Sequence, residues 1–171
     1  INNLISDLQT LIRQPSVSAK NEGIEECAKL VKKLLKKSGL KSEILRLKKG
    51  VAPIVYGEIK SKQNSTKTLM FYNHYDVQPA EPFDLWDDPP FSGTRKGNKI
   101  FGRGATDDKG ELITRIKAVE AYLKTTGDIP CNIKFVIEGE EETGSAHIEE
   151  YLKKYKKKFS CNGVIWEFGY V

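Results

Sequence analysis

The order of hydrophobic and polar residues predicts a chain in which helices and strands alternate. Apolar residues recur at helical spacing over residues 4–12 and again over residues 24–35. Pro15 ends the first of these predicted helices, and Gly39 ends the second. The three apolar runs that follow are short enough to be strands: Ser42 to Leu47, Ile54 to Ile59 and Thr68 to Tyr72.

The alternation continues after a long polar segment. Residues 78–97 are rich in Pro, Asp and aromatic residues and predict an ordered loop. A strand, a helix, a strand, a helix and a last strand are expected after it, over residues 99–102, 108–126, 132–137, 145–157 and 163–166. Strands that alternate with helices are typical of an α/β fold with a mostly parallel, layered sheet.

The helix predicted from residue 108 has both a start signal and a stop signal. Asp108 and Glu111 have the spacing of a capping box, with Asp in the usual place of Ser or Thr. Gly127 marks the end of this helix. Its predicted apolar face consists of Leu112, Ile113, Ile116, Val119, Tyr122 and Leu123.

Carboxylates follow every predicted strand after residue 68, and a histidine also follows one of these strands. They are His74 and Asp76, Asp107 and Asp108, Glu138 and Glu140 to Glu142, and Glu167. In open α/β sheets, ligands bind beyond the carboxyl ends of the strands. We therefore expect these side chains to converge on one edge of the sheet.

Converging carboxylates need positive charge, because each one raises the pKa of its neighbours. Divalent metal ions can supply that charge, and so can Lys and Arg side chains. Any single carboxylate of the set suits a surface role, but the presence of His74 favours metal for the set as a whole. Imidazole and carboxylate ligands without cysteine suit Zn²⁺, Mn²⁺ or Co²⁺.

Two pairs of residues have spacings that suit hydrolysis at a metal site. Asp76 lies two residues after His74, where its carboxylate can reach the other ring nitrogen and fix the tautomer. Glu141 and Glu142 are adjacent, so one can bind metal while the other acts as a general base. A charged turn that leads into the helix at residue 145 is the alternative interpretation of the Glu pair.

Composition and missing motifs exclude other classes of protein. The net charge is +5, but the excess is mostly lysine without interleaved aromatic residues, so we expect no nucleic-acid partner. Dinucleotide-loop, P-loop and serine-hydrolase motifs are absent. The sequence shows no apolar stretch of membrane-spanning length and no signal peptide, so we expect a cytoplasmic protein without a membrane partner. The cysteines, Cys27, Cys131 and Cys161, are expected to be small core residues.

Four sequence blocks, in this order and at this spacing, resemble a family of two-metal aminohydrolases. The blocks are Asn73 to Val77, Trp86 to Phe91, Gly102 to Gly110 and Glu138 to Ser145. The family includes carnosinase-like dipeptidases, glutamate carboxypeptidases, aminoacylases and the acetylornithine and succinyl-diaminopimelate deacylases. The resemblance covers nearly the whole chain and implies the three-layer zinc-peptidase fold, an open, mostly parallel sheet with helices on both faces.

The resemblance implies a site for two divalent metal ions, with Zn as the first choice and Mn or Co as alternatives. It makes His74 and Glu167 ligands of the first ion and Glu142 a ligand of the second. Asp107 would bridge both ions, and the family often has a cis peptide bond directly after this residue.

The same resemblance assigns the reaction chemistry. Glu141 would be the general base, and Asp76 would orient the imidazole of His74. The motifs over residues 105–110 and 141–145 are most similar to those of dipeptidases and carboxypeptidases, which hydrolyse an amide bond of dipeptides or small peptides. Alternatives are an N-acyl amino acid deacylase of the same family and a non-catalytic metal-binding or interaction module.

The resemblance also implies that residues 1–171 are the N-terminal portion of a catalytic domain and that the domain is truncated here. The family's last metal ligand is a histidine far downstream, and its lid or dimerisation domain follows this region. We therefore expect the parent protein to form a homodimer through that domain and this portion alone to be inactive. His147 lies where the family has no ligand, so we expect it to be a surface histidine.

Overall fold

The computed structural model describes residues 2–63 and 65–167, and a five-stranded sheet lies at its centre. The strands along the chain are β1 (Lys41–Leu45), β2 (Ile54–Ile59), β3 (Thr68–His74), β4 (Thr94–Lys96), β5 (Lys99–Phe101), β6 (Asn132–Glu138) and β7 (Gly163–Ile165). The helices are α1 (Asn2–Arg13), α2 (Ile24–Lys37), α3 (Lys109–Thr126), α4 (Ile148–Lys154) and α5 (Lys156–Phe159).

The sheet is mixed, with the strand order β1-β2-β6-β3-β7. β6, β3 and β7 are parallel, whereas β1 with β2 and β2 with β6 are antiparallel. The expectation of a mostly parallel sheet therefore holds only for one half of it. Residues 46–53 are too few for the crossover that parallel pairing of β1 with β2 would need, since such crossovers take roughly a dozen residues.

Helices cover both faces of the sheet, which confirms the predicted layered α/β fold. On one face, α1, α2 and α3 pack in a cluster whose largest fully buried members include Leu11, Leu35, Ile116 and Phe135. On the other face, Tyr151 of α4 and Phe159 of α5 pack in a second cluster with residues of β1, β2, β3 and β6. Among the described helices, none is both long enough and apolar enough to cross a bilayer.

The predicted helices over residues 4–12 and 24–35 are confirmed as α1 and α2. The predicted loop over residues 78–97 differs at its end, because residues 94–96 form β4 and pair with β5 in a separate hairpin. The helix predicted over residues 145–157 begins later, at Ile148, after a 3-10 turn over Glu141–Thr143. It is also interrupted at Tyr155, which separates α4 from α5.

The start of α3 contradicts the capping-box hypothesis. The side chain of Asp108 makes no capping hydrogen bond to α3. Its Oδ2 atom instead accepts hydrogen bonds from Nδ2 of Asn73 at 2.7 Å and from the backbone N–H of His74 at 3.0 Å. The predicted stop at Gly127 is confirmed, whereas Tyr122 of the predicted apolar face is 47 % exposed.

A buried lysine joins the start of α3 to the end of α1. The Lys109 side chain is fully buried, and its Nζ atom donates to the carbonyl oxygens of Leu11 at 3.1 Å and Gln14 at 2.7 Å. Burial lowers the pKa of the Lys109 ammonium. The carbonyls at the end of α1 form the negative end of the helix dipole, so they suit a cationic donor.

A second charged network joins α1, α2 and α3 further along. Lys117 forms ion pairs of 2.6 Å with both Asp7 and Glu120. The Glu120 carboxylate also accepts hydrogen bonds from Lys124 and from the Ser38 hydroxyl. Burial by itself would raise the pKa of Glu120, but these donors outweigh burial and lower the pKa to about 2.

The low pKa of Glu120 gives a pH-dependent contribution to stability. A carboxylate whose pKa is lower in the folded state stabilises the fold above its unfolded pKa, here 4.5, and the contribution is lost as pH falls toward 2. We expect Glu120→Gln in the full-length protein to lower the free energy of unfolding by roughly 2 kcal/mol at pH 7. The difference from wild type should narrow below pH 4.5 in urea unfolding experiments.

The control for this prediction is an exposed pair of the same type. Glu149 and Lys153 form an i,i+4 pair in α4 with both side chains about four-fifths exposed. Glu149→Gln should change the free energy of unfolding by less than about 0.5 kcal/mol at any pH. An equal loss in both variants would show that the network around Lys117 has no special effect.

The second prediction concerns Gly110, in the first turn of α3, where replacement by alanine should destabilise the fold instead of stabilising it. Replacement of a helical glycine by alanine normally stabilises by about 1 kcal/mol. A Cβ atom at Gly110 would lie 2.2 Å from the backbone oxygen of Ala105. We therefore expect Gly110→Ala to lower the free energy of unfolding by about 1–3 kcal/mol in urea titrations.

Thr114→Ala is the matched control, because Thr114 is exposed one turn further along the same helix. The control removes only an exposed hydrogen bond from the Thr114 hydroxyl to the carbonyl of Gly110, at 2.8 Å. Bonds of this kind do not favour the helix and alanine has the higher helix propensity, so stability should stay constant or rise slightly. A gain in stability for Gly110→Ala as well would contradict the close approach of the two segments.

Candidate functional site

His74 is the residue on which the acidic side chains converge. It is the last residue of β3, and its side chain is completely buried. Its Nε2 atom lies 2.9 Å from Oδ1 of Asp107 and 3.0 Å from Oε2 of Glu167. An oxygen of Glu141 lies 3.8 Å from the same nitrogen. One imidazole nitrogen therefore faces carboxylates from three separate segments of the chain.

The parallel half of the sheet explains why distant segments meet here. β3, β6 and β7 run in the same direction, and His74 of β3 is in register with Glu138 of β6. Glu141 and Glu142 follow β6 in a short 3-10 turn, and Glu167 follows β7. The carboxyl ends of these three strands thus meet at one edge, as expected from the sequence.

Asp107 reaches the site by a different route from the one expected. The strand before it, β5, belongs to the separate hairpin and not to the main sheet. Asp107 instead enters from the turn before α3, where its peptide bond to Asp108 is cis, as the family resemblance implies. Gly104 of this turn has a φ of +77°, and a Cβ there would lie 2.5 Å from Cγ1 of Val77. Glycine is therefore required where the turn passes the segment after β3.

The potential ligand atoms form two overlapping groups that share His74. One group joins His74 with Glu141 and Glu167, and the other joins it with Asp107 and Glu142. Within each group, one nitrogen or oxygen atom per residue lies within 4.8 Å of the others. A nitrogen and oxygen donor set of this kind suits Zn²⁺, Mn²⁺ or Co²⁺, so the residues present fit the metal ions that the sequence predicts.

The electrostatics of the cluster also favour a cation. Burial, together with the charges of Glu167 and its neighbour Glu142, raises the pKa of Glu141. Burial likewise raises the pKa of Glu142. Burial alone would lower the pKa of His74, but Asp76 and the other carboxylates outweigh it and raise the pKa to about 10. Raised pKa values at all three residues indicate an excess of negative charge in the site, which divalent cations would neutralise.

Asp76 is completely buried and contacts both His74 and the turn that carries Glu141 and Glu142. Its Oδ1 atom lies 3.3 Å from Nδ1 of His74, on the side of the ring away from the other carboxylates. The Asp76 carboxylate also accepts hydrogen bonds from the backbone N–H groups of Glu141 at 3.3 Å and Glu142 at 3.0 Å. The backbone carbonyl of Asp76 is the hydrogen-bond partner of Nδ1 of His74, at 3.1 Å. Asp76 therefore holds both the imidazole ring and the turn that carries the two glutamates.

Two further residues near the cluster were not identified from the sequence. Asn73 donates to the buried Asp108 carboxylate, whose pKa burial raises to about 7. Gln78 uses its Nε2 atom to donate to the carbonyl oxygen of Glu142 at 3.1 Å and to Oε2 of Glu142 at 2.8 Å. Each lies close in sequence to His74, but an amide near a histidine is no signal by itself. Only the folded arrangement shows which acceptors these amides reach.

His147 and the cysteines lie outside the two groups. His147 is 27 % exposed at its side chain and pairs with Glu140 at 2.8 Å, which is consistent with the expected position near the surface. Cys27 is buried as predicted, whereas Cys131 and Cys161 are only partly buried. The expectation that all three are core residues therefore holds fully for one of them.

Comparison with proteins of known sequence places this arrangement in a family. A profile of Peptidase family M20/M25/M40 matches residues 70–170. The chain is 44 % identical over 110 residues to human Beta-Ala-His dipeptidase. The aligned region covers 64 % of this chain and 21 % of that protein. It is 34 % identical over 160 residues to succinyl-diaminopimelate desuccinylase of Pelagibacter ubique, covering 91 % of this chain and 41 % of that protein.

Comparison with solved structures agrees. An M20 family metallo-carboxypeptidase from Sulfolobus solfataricus superposes with a TM-score of 0.91 and 39 % identity, covering 99 % of this chain and 38 % of that one. The chain thus spans about a fifth to two fifths of the length of these relatives. The resemblance in the sequence blocks, the fold and the profile match agree, and the chain belongs to Peptidase family M20/M25/M40.

Proposed function

We propose that the full-length protein is a metal-dependent hydrolase that cleaves an amide bond of dipeptides or small peptides. The observation that carries this proposal is the buried Nε2 atom of His74, which faces the carboxylates of Asp107, Glu141 and Glu167 within 3.8 Å. Membership of the peptidase family and 44 % identity to a dipeptidase support it.

Four residues of this chain would hold two divalent ions, with Zn²⁺ favoured over Mn²⁺ and Co²⁺. His74 and Glu167 would bind the first ion, and Glu142 would bind the second. Asp107 would bridge them, since one of its oxygens lies 2.9 Å from the His74 nitrogen and it also belongs to the group with Glu142. When bound, the ions would polarise the substrate carbonyl and lower the pKa of the attacking water.

Glu141 is the best candidate for the general base. The neighbouring Glu142 carboxylate already accepts a hydrogen bond from Gln78. Within residues 2–63 and 65–167, by contrast, the Glu141 carboxylate accepts no hydrogen bond, and Nε2 of His74 lies 3.8 Å from it. Its oxygens are therefore free to accept a proton from the attacking water and to return that proton to the leaving amine.

Asp76 would act as a positioning residue for this reaction. Its backbone carbonyl is the hydrogen-bond partner of Nδ1 of His74 at 3.1 Å and its carboxylate lies 3.3 Å from the same atom, which fixes the tautomer that leaves Nε2 free as a ligand. Its hydrogen bonds to the backbone N–H groups of Glu141 and Glu142 hold the turn in place. One of these two adjacent side chains can then bind metal while the other acts as the base.

An N-acyl amino acid deacylase is the second candidate function. It is favoured by the 34 % identity to a desuccinylase over 91 % of this chain. The closer similarity of the motifs over residues 105–110 and 141–145 to those of dipeptidases and carboxypeptidases weighs against it. A non-catalytic module is the third candidate, and the complete set of Asp76, Glu141 and the four potential ligands weighs against that.

We also propose that residues 1–171 form the N-terminal portion of a larger catalytic domain. In this proposal the rest of the full-length protein supplies a further histidine ligand and a lid or dimerisation domain. Substrate preference would then be decided in large part by residues outside this chain.

Loss of the base should separate metal binding from turnover. We expect Glu141→Gln in the full-length protein to bind metal as wild type does but to lower kcat by at least about 100-fold. Metal content by elemental analysis and steady-state hydrolysis of a dipeptide check this. Near-normal turnover would remove Glu141 from the proposed role.

The adjacent Glu140→Gln is the matched control for that experiment. The Glu140 carboxylate binds His147 and the backbone N–H of Ala52, and it belongs to neither group around His74. This variant should keep kcat within a few-fold of wild type. An equal loss in both variants would indicate that any charge change in the turn disturbs the enzyme.

Removal and return of metal should distinguish the candidate functions. A chelator should abolish hydrolysis by the full-length protein, and Zn²⁺, Mn²⁺ or Co²⁺ should restore it. Cleavage of dipeptides in a panel that also contains N-acyl amino acids would support the peptidase, whereas cleavage of N-acyl amino acids alone would support the deacylase. No hydrolysis with any of the metals would favour the non-catalytic module.

A further inference from the structure

Arg115 of α3 binds the ends of two strands at once. Its Nη1 atom donates to the carbonyl oxygen of Tyr72 in β3 at 2.9 Å. Its Nη2 atom donates to the carbonyl oxygen of Trp166, directly after β7, at 2.6 Å. The side chain is only 13 % exposed and forms an i,i+4 ion pair with Glu111.

The position of this contact in the sheet is informative. The backbone pairing of β3 with β7 runs from Leu69 with Gly163 to Phe71 with Ile165 and stops there. Tyr72 and Trp166 would be the next pair in the same register. The guanidinium therefore joins the two strands at the first position beyond their own ladder.

The strand ends that Arg115 joins carry two proposed metal ligands. His74 is two residues after Tyr72, and Glu167 is the residue after Trp166. Their ligand atoms, Nε2 of His74 and Oε2 of Glu167, lie 3.0 Å apart. The aromatic rings of Tyr72 and Trp166 also pack against each other, with centroids 5.0 Å apart. Any change in the separation of the two strand ends would move these ligands relative to each other.

We propose that Arg115 is a positioning residue for the first metal ion, because it sets the separation of the strand ends that carry His74 and Glu167. This inference rests on the proposed function. A guanidinium suits the task because its planar fork of donors can bind two carbonyls at once, whereas a lysine ammonium has a different geometry. Arg115 does not touch the reacting atoms.

If Arg115 acted only through its charge, its removal would change the cation affinity in the opposite direction from the loss of a positioning contact. Arg115 carries a positive charge next to a site for cations, so its removal should by itself tighten cation binding. Loss of a positioning contact should instead weaken it, since residues that orient ligands typically contribute about 10- to 100-fold to metal affinity. The sign of the change therefore distinguishes positioning from a simple charge effect.

The test is a titration of the full-length, chelator-stripped protein with Co²⁺, followed by calorimetry and by the visible spectrum of the bound ion. Wild type should bind two equivalents. Arg115→Met should bind one equivalent about 10- to 100-fold more weakly, with the other little changed. The affinity of Arg115→Lys for the weakened equivalent should lie between those of wild type and Arg115→Met, because an ammonium keeps the charge but cannot bind both carbonyls as the guanidinium does.

Lys117→Met is the matched control on the same helix. Lys117 pairs with Asp7 and Glu120, neither of which belongs to the carboxylate cluster, so this variant should lose stability but keep both Co²⁺ affinities and the spectrum. If Arg115→Met does not fold, Arg115→Lys carries the comparison.

Three outcomes would overturn the inference. Unchanged or tighter binding of both equivalents in the folded Arg115 variants, with wild type binding two, would overturn it alone. An equal loss of affinity in Lys117→Met would show that stability of α3 explains the effect. A wild-type protein that binds no divalent ion would overturn the proposed function together with the inference.

Discussion

The parallel alignment of β3, β6 and β7 is the constraint on which the site depends. Because these strands run in one direction, the residues that follow them emerge at the same edge of the sheet. His74 ends β3, the Glu141 and Glu142 turn follows β6, and Glu167 follows β7. A shift in register of one residue would turn His74 to the other face of the sheet and would remove the cluster.

The cluster brings together groups that repel one another, so neighbouring contacts have to hold it. Asp76 fixes the His74 ring and the turn after β6, and Asp108 accepts hydrogen bonds from Asn73 and from the backbone of His74. Lys109, the residue after Asp108, anchors the start of α3 to the end of α1. The segment that carries Asp107 is thus attached both to the sheet and to the first helix. Such support from packed neighbours keeps several negative charges at fixed distances from one another.

The two halves of the sheet differ in whether they contribute potential metal ligands. The antiparallel half, β1 and β2, contributes apolar residues to both clusters of the core and none of the proposed ligands. The parallel half carries every residue of the two potential metal-binding groups except Asp107. The parallel strands β3 and β6 thus contribute to both the core and the site, whereas changes in β1 or β2 should affect folding more than the site.

The sequence by itself determined the helices with clear periodicity, the strands of the five-stranded sheet and the identity of the acidic side chains that meet at His74. Local spacing is enough for these features, because a helical stripe or an apolar run is set by residues close together in the chain. The family resemblance then implied roles for His74, Asp107, Glu141, Glu142 and Glu167, and the structure brings all five together.

Tertiary structure alone decided the features that depend on distant partners. Asp108 has the local spacing of a helix cap, but a buried amide and a strand end compete for its carboxylate and bind it instead. The antiparallel direction of β2 next to β6 and the contacts of Gln78 and Arg115 have the same origin. Each is settled by a packing or hydrogen-bonding partner that no local pattern specifies, and therefore only the folded chain reveals it.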